Sequence, residues 1–153
     1  MPGAISPWPV LHIGLQGRTV KTLQLLLRAH GRDVVVDGVF GPQTDAAVSG
    51  FQTIKGLPAS GIVDADTWKA LIVPVGKGSS GDAVRSVQEE LGCRNDCPDS
   101  TQGLQIDGIF GPKTVGTVLF FQQALSRTIP ALPVDGSVDP LTWQALVSGM
   151  LAC

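Results

Sequence analysis

Charge is scarce in this chain. Asp, Glu, Lys and Arg make up 16% of its 153 residues and the formal net charge is −2, where an ordinary globular chain is about a quarter charged. No stretch gathers Lys and Arg into a basic run. Binding to phosphate backbones draws on clustered cations, so nucleic acid is excluded as the main partner. Long apolar runs are missing too. The hydrophobic residues, 43% of the chain, suffice for a core but come in short groups, far below the roughly 20 needed to cross a bilayer. No membrane insertion is expected. The opening Met1–Leu15 holds Pro2, Pro7 and Pro9 and no Lys or Arg ahead of an apolar run, so the order of a secretion signal is not visible there.

Metal ligands are few. Cys93 and Cys97 are spaced C-x3-C, while His12 and His30 stand in the other half of the chain. A structural zinc takes four ligands, so no metal site is expected. A local Cys93–Cys97 disulfide in a loop would suit an extracytoplasmic address; two unbridged thiols fit the spacing as well. Cys153 ends the chain. Catalytic groups are short in the same way. No Ser/His/Asp set, H-E-x-x-H, phosphate-binding loop or Cys–His pair occurs in a suitable context. Paired carboxylates could still cleave a glycoside, but the acids that recur, Asp37 with Asp107 and Asp64 with Asp139, fall at turn and cap positions. No catalytic residue, no cofactor and no enzymatic activity are expected.

What the chain has is a copy of itself. Gly14, Gly17, Val20, Gln24 and Leu27 return as Gly78, Gly81, Val84, Gln88 and Leu91, displaced by 64 positions (Gly17 to Gly81). Asp37-Gly38-Val39-Phe40-Gly41-Pro42-Gln43-Thr44 returns as Asp107-Gly108-Ile109-Phe110-Gly111-Pro112-Lys113-Thr114, displaced by 70 (Asp37 to Asp107). Gly61, Val63, Asp64, Thr67, Trp68 and Leu71 return as Gly136, Val138, Asp139, Thr142, Trp143 and Leu146, displaced by 75 (Trp68 to Trp143). The growing displacement places two insertions in the second copy, Gly92–Gly103 with the cysteines and Ser126–Pro133, both between periodic segments, as surface loops require. The copies are expected to occupy 9–73 and 74–148.

Each copy reads as three helices. In the first, Val20, Leu23, Leu26 and Leu27 lie at helical spacing opposite Lys21 and Arg28, and Gly31 stops the helix. A second helix starts at Pro42, since proline at the first helical position loses no needed N–H; its inner stripe reads Thr44, Ala47, Val48, Phe51 and Ile54. A third opens at Asp64 as N-cap and runs through Trp68 and Leu71. The Asp-Gly turn between β-branched residues at 34–40, with Gly61-Ile62-Val63, predicts a very short β-ribbon beside the bundle. The fold class is therefore mainly α: two tandem small three-helix bundles, each with a short β-ribbon or turn element. Trp68, Trp143, Phe51 and Phe121 read as core anchors. Gly38, Gly41, Gly108 and Gly111 read as backbone requirements, and Gln24 and Gln52 as partners of loop backbone.

The pattern G-x-x-G-x-x-V-x-x-L-Q, then D-G-x-F-G-P-x-T-x-x-A-V-x-x-F-Q, then V-D-x-x-T-W-x-x-L resembles a family of peptidoglycan-binding domains. The first copy matches it with Gly14, Gly17, Val20, Leu23, Gln24, then Asp37 to Gln52, then Val63 to Leu71. The second departs at Val87, for leucine, and Thr117, for alanine. The resemblance covers about Pro9 to Val147. It implies a three-helix module that attaches proteins to bacterial walls and usually accompanies a hydrolase, for which this chain has no room. It points to non-catalytic binding of peptidoglycan outside the cytoplasm, with a separate cell-wall hydrolase domain as a possible partner. Two modules on one polymer would gain avidity over either alone. The alternative is a protein-interaction or structural scaffold, for example in a phage or secretion assembly, with no wall binding.

On that reading the ligand-binding residues are expected in the loop that feeds the second helix. A helix start presents unpaired N–H groups and a positive dipole end, suited to the carboxylates of stem peptides and to a lactyl group. The candidates are Asp37, an exposed Phe40, Gly41 and Thr44 with Gln24, and their twins Asp107, Phe110, Gly111 and Thr114 with Gln88.

Overall fold

The structure, a computed structural model, describes residues 5–92 and 105–150. Cys93, Cys97 and Cys153, and with them the disulfide expectation, lie outside the described residues. Six helices follow in order: α1 (Arg18–Ala29), α2 (Pro42–Ile54) and α3 (Ala65–Leu71), then α4 (Asp82–Gly92), α5 (Pro112–Ser126) and α6 (Pro140–Val147). The fold is mainly helical, and the second three helices repeat the first three.

The helix boundaries follow from local chemistry. Proline occupies the first turn of α2, α5 and α6. Asp64 and Asp139 cap α3 and α6, accepting the N–H of Thr67 at 3.1 Å and of Thr142 at 2.8 Å. The end of α1 closes on Gly31, whose φ of +81° lets Arg32 N–H reach back to the Leu27 carbonyl at 2.9 Å, a left-handed stop that glycine adopts at low cost.

Each trio of helices closes on a tryptophan. Trp68 and Trp143 are fully buried, and each indole donates to a carbonyl of the segment leading into its own repeat: Pro9 at 2.7 Å and Val73 at 2.8 Å. Trp8 stacks on Trp68 with ring centroids 6.2 Å apart. Loss of such a buried ring costs about 3–5 kcal/mol.

Two expectations change. The turn segments do not pair with one another as a ribbon. Among the described residues, extended backbone meets in isolated antiparallel bridges, Gln16 with Val39 and Leu11 with Val63, then Ser80 with Ile109 and Val75 with Val138. Each turn thus pairs with the lead segment of its own repeat. Only one or two residues of each turn are extended before a helix begins, too few for a ladder. Along α2, Ile54 is 66% exposed and Gln52 is buried instead, because the inner stripe runs through Thr44, Val48 and Gln52 in steps of four, with Phe51 beside it, and has rotated away from Ile54 at the last turn.

The most extensive helix–helix contact among the described residues is between the repeats, α1 on α4. Residues 22–27 of α1 are all buried, so over that stretch the helix has no solvent face. Three pairs fix the direction: Lys21 Nζ to Glu89 Oε1 at 2.9 Å, Thr22 Oγ1 donating to Glu90 Oε2 at 2.9 Å, and Arg28 Nε to Asp82 Oδ2 at 3.6 Å. The start of α1 meets the end of α4 and the end of α1 meets the start of α4, so the two equivalent helices run antiparallel about an approximate two-fold axis. The lead segment adds a further tie, Gln144 Nε2 donating to the Ser6 carbonyl at 2.9 Å.

Candidate functional site

The Asp-Gly turn is built around a glutamine. Gln24 projects from α1 and is fully buried. Its amide nitrogen reaches Asp37 Oδ1 at 2.9 Å, the Val39 carbonyl at 3.0 Å and Thr44 Oγ1 at 3.0 Å. Its amide oxygen accepts the N–H of Asp37 at 3.0 Å and of Gly38 at 2.9 Å. Gln88 does the same in the second repeat, toward Asp107 Oδ1, the Ile109 carbonyl and Thr114 Oγ1, and accepts from Gly108 N–H at 2.9 Å. A buried amide with both ends occupied fixes the turn against α1 and against the start of the next helix at once. The device recurs one step along the chain. Gln52 holds Gly61, Ile62 and Thr67, and Gln122 holds Gly136, Ser137 and Thr142.

This placement sorts the expected residues. Asp37, Gly41, Thr44 and Gln24 come together around one turn, and Asp107, Gly111, Thr114 and Gln88 around the other. The side chains of Gln24, Thr44, Gln88 and Thr114 are buried and engaged within the fold, so their part in a site is to position the turn. Phe40 and Phe110 correct the expectation of exposed aromatics: each is 1% exposed and belongs to the core. Extended backbone alternates its faces. With Phe inward, the residue before it turns outward, and Val39 and Ile109 are 47% and 60% exposed. They are the exposed apolar residues of the two turns, and this period-two alternation in the sequence was the signal for them.

Gly41 and Gly111 also read differently from expectation. Their φ values of −103° and −100° are open to any residue, and a Cβ at either would meet nothing within 4 Å. They are N-caps without a side-chain cap, unlike Asp64 and Asp139. The starts of α2 and α5 therefore keep first-turn N–H groups uncovered by any capping side chain.

Electrostatics favour ionised carboxylates at both turns. The Val39 N–H beside Asp37, helped by the Gln24 amide, holds its carboxyl below the ordinary range. Ile109 N–H and then Gln88 do the same for Asp107, with the charge of Arg85 adding a little.

Two open clefts flank these turns. One, of about 380 Å³, is lined by Gln105, Asp107, Ile109, Gly111, Pro112, Lys113 and Thr114. The other, of about 550 Å³, lies on the α1 side of the first turn. It is lined by Gln16, Gly17, Arg18, Lys21, Asp37, Gly38 and Val39, and by Glu89 of the second repeat. Lys113, Arg18, Lys21 and Glu89 were not singled out from the sequence. Lys113 stands in the repeated segment itself, where it reads as a charge on the first turn of a helix; Arg18, Lys21 and Glu89 are far from Asp37 in sequence, and only the fold brings them to its turn.

The family model described as "Putative peptidoglycan binding domain" matches residues 16–71 and again residues 80–146. The chain belongs to this family and carries the domain twice. It is similar to the N-acetylmuramoyl-L-alanine amidase CwlL of Bacillus licheniformis, 30% identical over 116 residues that make up 70% of this chain and 30% of the amidase. It is also similar to the zinc D-Ala-D-Ala carboxypeptidase of Streptomyces albus G, 38% identical over 61 residues, 38% of this chain and 24% of the enzyme. Among solved structures, a peptidoglycan-binding protein from Clostridioides difficile, in complex with glutamine hydroxamate, is 40% identical. The match covers 41% of this chain and 40% of that one, with a TM-score of 0.41. The chain spans between about a quarter and a half of the length of the curated relatives it matches.

Proposed function

We propose that the chain binds bacterial peptidoglycan without cleaving it, through the peptide part of the polymer, at the clefts beside its two Asp-Gly turns. The observation that carries this reading is the cleft of the second repeat. There an uncapped helix start, the Lys113 ammonium and the exposed Ile109 side chain surround a rigidly held turn. N–H groups and a cation suit a carboxylate, and the branched apolar side chain suits the methyl of an alanyl residue. The polar side chains at the turn are engaged in holding backbone, which supports recognition over chemistry. Family membership supports the polymer, and the amidases among the relatives support a partnership with a cell-wall hydrolase domain. The binding units are residues 9–73 and 74–148, acting outside the cytoplasm. No helix among the described residues is long and apolar enough to cross a membrane.

The test is retention of the intact chain on purified insoluble peptidoglycan, with cellulose and chitin as controls. Retention on walls alone, reduced by Lys113→Glu and by Ile109→Asp in variants that remain folded, is the expected result. Equal retention on all three polymers, or none on walls, would overturn the reading, as would soluble muropeptides released by the purified protein.

A further inference from the structure

The two turns have the same backbone and opposite openings. In the second repeat, Arg85 lies across the turn from the α4 side: a Cβ on Gly108 would meet Arg85 Nε at 3.1 Å and Cγ at 3.2 Å. At the equivalent Gly38 the same construction meets only the backbone of Gly17. The residue in Arg85's place in the first repeat is Lys21, and it is drawn aside by Glu89 of the other repeat at 2.9 Å. The reverse holds on the far side of the turn. There Gln43 accepts the Val35 N–H at 3.2 Å and spans the first repeat, whereas Lys113 lines an open cleft in the second.

The charges of the first-repeat cleft are mixed and formally balanced: Arg18 and Lys21 against Asp37 and Glu89. Lys21 and Glu89 satisfy one another. Arg18 has no carboxylate partner among the described residues, and Asp37 uses Oδ1 to accept from Gln24 and Val39, leaving its Oδ2 outside those bonds. The cleft thus offers a guanidinium and a carboxylate edge, with the methyl groups of Val39 beside them. A simple anion would meet Asp37, and a simple cation would meet Arg18. A small dipolar ion satisfies both. The second repeat cannot copy this arrangement. Asp82 stands in Arg18's place and pairs with Arg28 and Arg85, and Leu25 stands in α1 where Glu89 stands in α4.

We infer that the cleft of the first repeat is a site for an α-amino-acid head group, a carbon bearing both a free ammonium and a free carboxylate, and that Glu89 of the second repeat holds it open by withdrawing Lys21. Arg18 receives the carboxylate, Asp37 the ammonium, and Val39 packs against the aliphatic remainder. Such a head group is offered by the side-chain end of a diaminodicarboxylic acid in a stem peptide or by a free amino acid. The first source rests on the peptidoglycan reading; the site itself does not.

The test is a titration of the ¹⁵N-labelled intact chain, followed by amide shifts, with D-alanine, N-acetyl-D-alanine, D-alaninamide and a soluble muropeptide carrying an uncross-linked diaminodicarboxylic acid. D-alanine is expected to shift Gly17, Gly38 and Val39 saturably, and the two blocked compounds to bind at least tenfold more weakly. Arg18→Gln and Glu89→Gln should each weaken D-alanine at least fivefold while their spectra remain those of the folded chain. Shifts from the muropeptide place the head group on the wall, and shifts from D-alanine alone make it a free amino acid; either carries the proposal. Equal binding of blocked and unblocked compounds, no saturable shift at these amides, or unchanged binding in Arg18→Gln overturns it. If walls retain the chain while these amides stay still, this site falls and the wall reading stands. If D-alanine binds while walls retain nothing, the reverse holds.

Discussion

At the scale of single residues, the site is a set of side chains that hold backbone in place, and substitutions should separate holding from contacting. Phe40→Ala or Phe110→Ala removes a ring that is 1% exposed and leaves a cavity, so a loss of about 3–5 kcal/mol in urea unfolding is expected. A change in wall binding without that loss would contradict the buried placement. Acid should act at the same turns. Asp37, Asp107 and Asp135 all have carboxyls held below the ordinary value of about 3.8, chiefly by the N–H two residues on. A lowered folded value contributes stability above the unfolded value that is lost as pH falls through the folded one. Thermal stability should therefore drop below about pH 3.8, and the triple variant to Asn should flatten that limb. An unchanged acid limb would show that these carboxylates do not govern it. What the sequence disclosed at this scale was residue type more than role. Gln24 was legible as a backbone partner because a buried amide must be satisfied. Phe40 was misplaced because a loop aromatic reads equally as contact or core until the alternation with Val39 is weighed.

At the scale of elements, the helix starts carry the contrast that matters. α3 and α6 are capped by aspartate, while α2 and α5 begin at a bare glycine with free space above it. Gly111→Ser supplies the missing cap and should stabilise the chain by a few tenths of a kcal/mol. The same side chain fills the mouth of the cleft, so retention on walls should fall as the melting temperature rises. A variant that gains stability and keeps full retention would place the ligand elsewhere. Helix order, the three proline starts and both aspartate caps were legible in the sequence, since each depends on residues within one turn. The bridges of the turns to residues 11–16 and 75–80 were not. They join positions more than 20 apart, and nothing in one strand of one or two residues names its partner.

At the scale of the whole molecule, the repeats are joined along helices that the sequence showed only as amphipathic. Leu25 is 4% exposed, although it lies off the stripe that serves its own bundle, and its surplus was a mark of a second neighbour. Cutting the chain near Pro74 uncovers α1 and α4 together. The separated halves are expected to melt lower than the intact chain and, when mixed, to co-elute as a one-to-one pair in size-exclusion chromatography. Halves that stay apart, each as stable as the whole, would show that the α1–α4 contact contributes little. Weaker wall retention by either half then has to be compared with the mixed pair before it counts as a gain from two clefts.

The antiparallel setting of α1 and α4 has a last consequence for traffic along a polymer. Each Asp-Gly turn is tied to the residue just before its helix, Gly17 or Gly81, so the turns sit toward opposite ends of a helix pair about 18 Å long. The half-rotation that relates the repeats reverses head and tail. A directional strand seated alike in both would have to double back between them, and two neighbouring strands of opposite sense would not.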